Sequence, residues 1–283
     1  MYCKHIICST KHRQSASKFI KSRKDCSSIE FDNSRILYQF KKSIASLAIT
    51  LKALVESGND EGNGRCAKKR RLPAFAGHNA GMKAMIEIVR HSSDLGIKYL
   101  TVYAFSTENW KRSREEIGGI FRLLIKYVDS QLSELDKNNV KVHVLGDMKA
   151  FPDNVRESLE KTLNTTRNNT GLRFSICLNY GGRDEIVHAV RSIVSDAAAG
   201  TAGPEDVDEA LICKRLWTGI EGIPDPELLI RTSGEERVSN FMLWQCAYSE
   251  FVFENALWPD FTPEKYDKAI EKYQQRNRRF GGR

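Results

Sequence analysis

Residues 59–78 crowd several kinds of chemistry into one short stretch. Gly62 and Gly64 flank Asn63, so the backbone can turn sharply and bare its N–H groups with no Cβ in the way. Asp60 and Glu61 come just before, and Arg65, Lys68, Lys69 and Arg70 just after. Carboxylates, bare amides and a cationic cluster side by side suit a phosphate held with a divalent metal. A solvated, charged surface turn is the plain alternative. Further groups of the same character recur downstream. Ser106, Asn109, Trp110 and Arg112 share one loop, while Arg231, Arg237 and Ser239 share another. Arginine pairs bidentately with phosphate, so four arginines at strand ends favour a phosphate pocket over isolated surface ion pairs. His78 is either a buried or capping histidine or, beside phosphates, a donor or acid–base group.

These groups need elements to hold them. Residues 44–55 are apolar and fit a strand or a short helix. Met82, Met85, Ile86 and Val89 fall at helical spacing within residues 78–95, and Gly96 suits the C-cap. Residues 99–105 read as a buried strand, 114–136 as a helix, 140–145 as a strand, 154–167 as a helix, 172–178 as a strand and 185–197 as a helix. A short helix over 207–217, a short strand over 228–230 and a last amphipathic helix over 263–276 follow. The alternation predicts an α/β fold with a central, mostly parallel sheet flanked by helices. In such a sheet the polar segments after the strands gather at one edge. Segments 62–78, 106–112, 179–183 and 231–250 should therefore converge.

The chain has 283 residues and a net charge of +8, which favours acidic partners without choosing among them. Its seven cysteines are scattered, with no C-x-x-C pair, which predicts a reducing compartment such as the cytoplasm. Residues 1–43 are rich in Lys, Arg and Ser and have no sustained apolar period, as in a disordered tail or an organelle-targeting segment. Residues 44–283 read as one domain. No run of 18 or more apolar residues predicts a spanning helix. There is no basic helix motif or aromatic platform, so nucleic acid is not an expected partner. A dinucleotide fingerprint at Gly62, Gly64 and Ala67 fails on context, since polar residues precede it and a basic cluster follows.

Six motifs in order carry a family resemblance over residues 59–282. They are Gly62-Asn63-Gly64-Arg65, Ala76-Gly77-His78, the run from Tyr103 to Trp110, Asn179-Tyr180-Gly181-Gly182-Arg183, Arg231-Thr232-Ser233-Gly234-Glu235 with Ser239-Asn240-Phe241, and Leu257-Trp258-Pro259-Asp260-Phe261. Together they resemble the cis-prenyltransferases, closest to the bacterial undecaprenyl diphosphate synthase type. The resemblance implies a homodimer with a hydrophobic tunnel beside the sheet. It also implies magnesium-dependent transfer of isopentenyl units from isopentenyl diphosphate onto farnesyl diphosphate, and peripheral membrane contact for the lipid product. Carried over by position, Gly62, Asn63, Gly64 and Arg65 hold the allylic diphosphate, with His78 assisting nearby. Ser106, Thr107, Glu108, Asn109, Trp110 and Arg112 form a flexible loop, with Asn109 implicated in proton removal. Arg231, Arg237 and Ser239 bind isopentenyl diphosphate, and Glu250 helps to hold the metal. Arg279, Phe280 and Gly281 resemble an element that reaches the site across the dimer.

The departures fall in one region. The family's catalytic, metal-binding Asp corresponds to Glu61 here, with Asp60 beside it as a substitute. Cys66 replaces a Trp, Ala74 an Arg, and Arg71 a Gly. Altered or reduced activity is one expectation. A non-catalytic scaffold subunit of a heteromeric enzyme is the other, although retention of the Ser106–Trp110 loop and the Arg231–Ser239 segment favours the enzyme.

Overall fold

The structure is a computed structural model that describes residues 47–52 and 62–276. Asp60 and Glu61, the basic segment 1–43 and the carboxyl-terminal element at 279–281 lie outside the described residues. Six strands form one sheet: β1 (Ala48–Lys52), β2 (Tyr99–Ser106), β3 (Lys141–Leu145), β4 (Arg173–Tyr180), β5 (Leu228–Arg231) and β6 (Glu250–Phe253). They lie in the order β3-β4-β2-β1-β5-β6, and every pairing is parallel. In β2 and β4 every residue after the first is buried. That is the pattern of strands covered on both faces, and it explains their unbroken apolar runs.

Helices α1 (Asn63–Lys69), α2 (Ala74–Leu95), α3 (Arg114–Lys137), α4 (Asp153–Thr166), α5 (Gly182–Ala198), α6 (Glu209–Arg215), α7 (Trp217–Ile220) and α8 (Pro263–Gln274) connect or follow these strands. Helix α2 buries Met82, Met85, Ile88 and Val89 and stops at Gly96, which takes the left-handed conformation with φ 78°. Helix α3 starts where the Ser113 hydroxyl accepts the Glu116 N–H, has Glu115 and Glu116 in its first turn and ends on Lys137. Charges so placed complement the helix dipole.

The sheet decides where the ends of the strands point. From β1 the chain moves to β2 and on to the edge strand β3, steps back to β4 between them, then crosses to the other flank of β1 with β5 and β6. The order reverses between β1 and β5, and an open α/β sheet has its binding crevice at the carboxyl ends beside such a reversal. Residues from Gly62 follow β1, and Thr232 follows β5. The strongest sequence features therefore flank the crevice.

Local departures from expectation have physical causes. Segment 62–69 is not an open turn. Only Gly62 turns, at φ 69°, and Asn63 already begins helix α1 with Gly64 inside it. Helix α5 starts at Gly182 instead of 185 because the Asn240 carbonyl accepts the Gly182 N–H at 2.7 Å. The stretch 207–217 breaks at Leu216, whose extended backbone separates α6 from α7.

Candidate functional site

Three of the four expected segments meet at the carboxyl edge of the sheet, together with the first part of the fourth. Gly62 abuts the loop after β5: a Cβ placed on it would lie 3.4 Å from Ser233 Oγ and 3.8 Å from Trp258 Cβ. Arg65 reaches the same loop, donating to the Ser233 carbonyl at 2.8 Å and to Glu235 Oε1 at 3.3 Å. Arg237 pairs with the other oxygen of Glu235. One carboxylate thus spaces two guanidinium groups, and Arg231 is buried at the end of β5 behind them.

Helix α1 sits on α2 through glycine. A Cβ on Gly77 would lie 2.1 Å from the Asn63 carbonyl oxygen, and one on Gly81 would lie 2.3 Å from Asn63 Oδ1. This close approach explains both glycines and the burial of Asn63, which is 1% exposed. Neither polar atom of the Asn63 amide has a hydrogen-bond partner. Trp258 locks the same corner, its Nε1 donating to the Gly81 carbonyl at 2.9 Å. At Arg71 φ is 56°, a left-handed conformation that costs a residue with a Cβ roughly 1–2 kcal/mol. Cys66 is buried, and burial followed by the charge of Asp260 pushes its thiol up.

His78 is also buried, with Nε2 3.4 Å from Glu116 Oε1, while Arg112 pairs with the same Glu116 oxygen. Burial and then the Arg112 charge push the His78 imidazole below its ordinary value, against the opposing pull of Glu116, so the ring is neutral near pH 7. His78 Nδ1 is buried with no partner.

The loop after β2 is a 3₁₀ turn over Thr107–Lys111, held by reciprocal caps. Ser106 N donates to Asn109 Oδ1 at 2.7 Å, and the Ser106 hydroxyl accepts from the Asn109 backbone. Asn109 is fully buried, and its Nδ2 has no partner. Trp110 donates to Asn179 Oδ1 at 2.7 Å, and its ring packs among Phe105, Phe121 and Phe151. The loop expected to be flexible is therefore packed in this state. Burial alone would raise the Glu108 carboxyl, but hydrogen bonds from Asn240, the loop backbone, Ser106 and Thr107 hold it below its ordinary value.

Asn240 joins three of these segments. Its Nδ2 donates to Glu108 Oε1 at 2.8 Å, its Oδ1 accepts the Arg183 N–H at 2.8 Å, and its carbonyl accepts the Gly182 N–H. It has φ 62°, between Ser239 at 42° and Met242 at 44°. Such conformations persist in non-glycine residues only where the surroundings over-determine them. Behind them lies a fully buried Glu185, which accepts from Tyr180 Oη at 2.5 Å, Gln245 Nε2 at 3.0 Å and Trp217 N at 2.9 Å. Burial raises its carboxyl. The sequence reading gave no role to Glu116, Glu185 or Asn240. An asparagine inside a motif with no turn signature was the one available hint.

Glu250 is not brought to this edge. It pairs across the sheet with Leu228, at the amino end of β6, while Arg231 pairs with Phe253. Three residues of strand, about 10 Å, separate the two levels. Its carboxylate takes Arg276 Nη1 at 2.6 Å. Within one chain, then, Glu250 stands apart from the arginines. Among the described residues no group of three His, Cys, Asp or Glu is placed to hold a metal. What the described edge offers is donors for an anion, including the orphaned Asn63 amide. Asp60 and Glu61, the acids expected to add a metal ligand, lie outside the described residues.

Two apolar clefts run from this edge between α2 and α3. The nearer one includes His78, Met82, Phe105 and Leu124, and the farther one shares Met82 and continues along Met85, Val89 and Val128.

Comparison with known proteins identifies this architecture. Residues 60–281 match the Prenyltransf family model, described as "Putative undecaprenyl diphosphate synthase". An isoprenyl transferase of Clostridium tetani is 50% identical over 222 residues, covering 78% of this chain and 86% of that protein. One from Bacillus subtilis is 49% identical over 222 residues, covering 78% and 85%. Among solved structures, lavandulyl diphosphate synthase from Lavandula x intermedia in complex with dimethylallyl diphosphate superposes with a TM-score of 0.80. It has 32% identity, and the match covers 85% of this chain and all of that one. A probable undecaprenyl diphosphate synthase from Campylobacter jejuni superposes with a TM-score of 0.67 and 28% identity, covering 84% and 99%. With a parallel sheet, a phosphate-suited edge and these matches over most of its length, the chain belongs to the undecaprenyl diphosphate synthase family of prenyltransferases.

Proposed function

We propose that this chain transfers isopentenyl units from isopentenyl diphosphate onto an allylic diphosphate such as farnesyl diphosphate. The product is a cis-polyprenyl diphosphate of the undecaprenyl type. The observation that carries the reading is the pairing at the β1/β5 crevice. Two guanidinium groups are spaced by Glu235, beside an orphaned Asn63 amide, and apolar clefts lead away from His78. Gly62, Asn63, Gly64 and Arg65 take the allylic diphosphate. Arg231, Arg237 and Ser239 take isopentenyl diphosphate and orient its double bond toward the allylic carbon, a positioning task. The carbon–oxygen bond to the leaving diphosphate breaks, the new carbon–carbon bond forms, and a proton leaves the isopentenyl unit to give the new double bond. Neutral His78 hydrogen-bonds beside the leaving group. The proton passes to an oxygen of the departing diphosphate, and Asn109 serves proton removal by donating a hydrogen bond to that diphosphate from its unpartnered Nδ2.

Glu61 or Asp60 would hold magnesium, which would supply positive charge against the leaving diphosphate. The working unit is a homodimer. Val187, Val190 and Val194 form an exposed apolar row on α5 that a second subunit would cover. Residues 44–283 are the catalytic domain, and residues 1–43 a basic tail or targeting segment. No described helix is long and apolar enough to cross a membrane. A cytoplasmic enzyme in peripheral contact with the membrane fits the lipid product.

The test is incubation with farnesyl diphosphate and labelled isopentenyl diphosphate, with magnesium or chelator, followed by sizing of extracted products. Metal-dependent polyprenyl products support the proposal, and Glu61→Ala against Asp60→Ala then tells which acid serves. Isopentenyl diphosphate binding with no product would overturn activity of the isolated chain and leave the scaffold role. Glu61→Asp with Cys66→Trp and Ala74→Arg would then show whether those three positions are the cause.

A further inference from the structure

Residues 68–75 are exposed without a break, and they read Lys-Lys-Arg-Arg-Leu-Pro-Ala-Phe. Lys68 and Lys69 close helix α1, where cations complement the helix dipole. The dipole accounts for those two and for nothing beyond them. Leu72 and Phe75 are 50% and 51% exposed, large apolar side chains left in water beside four cations. The backbone holds them there. Arg71 takes the left-handed conformation, its N–H donates to the Lys68 carbonyl at 3.0 Å, and the Leu72 N–H returns to the Ala67 carbonyl at 2.9 Å. In a helix end closed this way the residue after the left-handed one commonly folds back onto the helix in an apolar contact. Here Leu72 stays half exposed instead. Arg70 donates to Asp260 Oδ1 at 2.5 Å, which fastens the end of α1 to the turn at Trp258–Asp260.

This corner adjoins the nearer apolar cleft. A Cβ on Gly119 would lie 3.7 Å from Phe75 Cδ2 and 3.8 Å from Arg122 Nη2. Ring and guanidinium therefore meet over the early turns of α3, one residue before Ile120, which lines the cleft. His78, three residues after Phe75 on α2, lines it too. Arg122 is exposed and adds a fifth cation, while Asp260 offsets one of the five charges. Cations with apolar side chains standing among them suit an anionic lipid surface. The cations are drawn to the headgroups, and the apolar tips leave water at the acyl boundary. A free phosphate or an acidic peptide would satisfy the cations and leave Leu72 and Phe75 in water.

We propose that the corner at residues 68–75, with Arg122, docks the protein on an anionic bilayer and sets the mouth of the nearer cleft against it. The docking stands on the surface alone. Its use, passing a polyprenyl diphosphate from cleft to bilayer without exposing the tail to water, rests on the transfer proposed above.

The experiment measures co-sedimentation of the full chain with vesicles of phosphatidylcholine alone or with one-third phosphatidylglycerol. Three variants are compared with wild type: Leu72→Ser/Phe75→Ser, Lys69→Gln/Arg71→Asn/Arg122→Gln, and a control of equal charge loss around β3 and α4, Lys149→Gln/Lys161→Gln/Arg167→Gln. Arg70 is spared because its pair with Asp260 holds α1. Wild type should bind the anionic vesicles and not the neutral ones. The first two variants should each bind at least about tenfold more weakly, and the control should stay within about threefold of wild type. Affinity of the cation variant for farnesyl thiodiphosphate in vesicle-free solution should be unchanged. No binding by the wild type overturns the docking surface, as does wild-type binding by either corner variant. So does an equal loss in the control, which would make the attraction one of net charge. Lost thiodiphosphate affinity in the cation variant would assign those cations to substrate and overturn it too. Sedimentation needs no turnover, so a chain that docks through this corner yet makes no product refutes the transfer reading alone.

Discussion

The two sides of the crevice differ in how their side-chain amides are satisfied. On the side of the β2 and β5 loops, Glu108, Asn179 and Asn240 are hydrogen-bonded to other segments, and the one orphan among these loop amides is Asn109 Nδ2. On the side of α1 and α2, both amide atoms of Asn63, His78 Nδ1 and Arg65 Nε are buried without partners. The amides of the first side tie its loops together. The second bears the cost of a wholly unmatched amide, which a bound anion would relieve at its Nδ2 donor.

That contrast can be broken most forcefully at Gly77. Gly77→Ala sets a Cβ against the backbone oxygen of Asn63, which no rotamer relieves. The expected loss is about 3 kcal/mol, read as a lower urea midpoint. Retained stability would show that α1 is free to move off α2. Next is Asn240→Asp, which can keep the left-handed backbone but removes the donor to Glu108 and faces it with a second carboxylate. About 2 kcal/mol should be lost, with a raised KM for isopentenyl diphosphate. An unaltered KM would sever the link between the two loops.

A smaller effect belongs to His78. Its folded-state value lies below its unfolded one, so the unfolded chain binds the proton more readily. Stability from this group is complete above about pH 6.5 and declines as pH falls toward the depressed value. His78→Gln should flatten the decline in unfolding midpoint between pH 7.5 and 5.5, and a parallel decline would refute it. The smallest effect sharpens the contrast. Asn63→Ala removes two unsatisfied atoms, so stability should change by less than about 1 kcal/mol while affinity for the allylic diphosphate falls at least tenfold. A large stability loss would mean that Asn63 is structural.

Much of the fold was legible because α2, α3, β2 and β4 announce themselves by period and by unbroken apolar runs. Convergence of the strand ends followed from the alternation alone. What stayed hidden was set by long-range geometry. Asn240 meets Glu108 across 132 residues of sequence, and nothing local in either marks the pair. Segment 62–69 looked like a turn because glycine permits one. It is helical because Gly77 and Gly81 let Asn63 dock. Glu250 fell at the wrong level because a motif's order does not say which end of a strand it occupies.

The placement of β1 also has a consequence for assembly of the chain during synthesis. β1 pairs with β2 early, but its other flank waits for β5, some 176 residues later. Until then β1 is an open edge of apolar residues, a template for wrong pairings. Contacts so distant in sequence close slowly. The crevice is divided between those two flanks, so it does not exist on a chain released before residue 231. A truncated product would expose a sticky strand without acquiring any affinity for diphosphate. Binding competence therefore reports that the chain has been made past residue 231 and that β5 has docked.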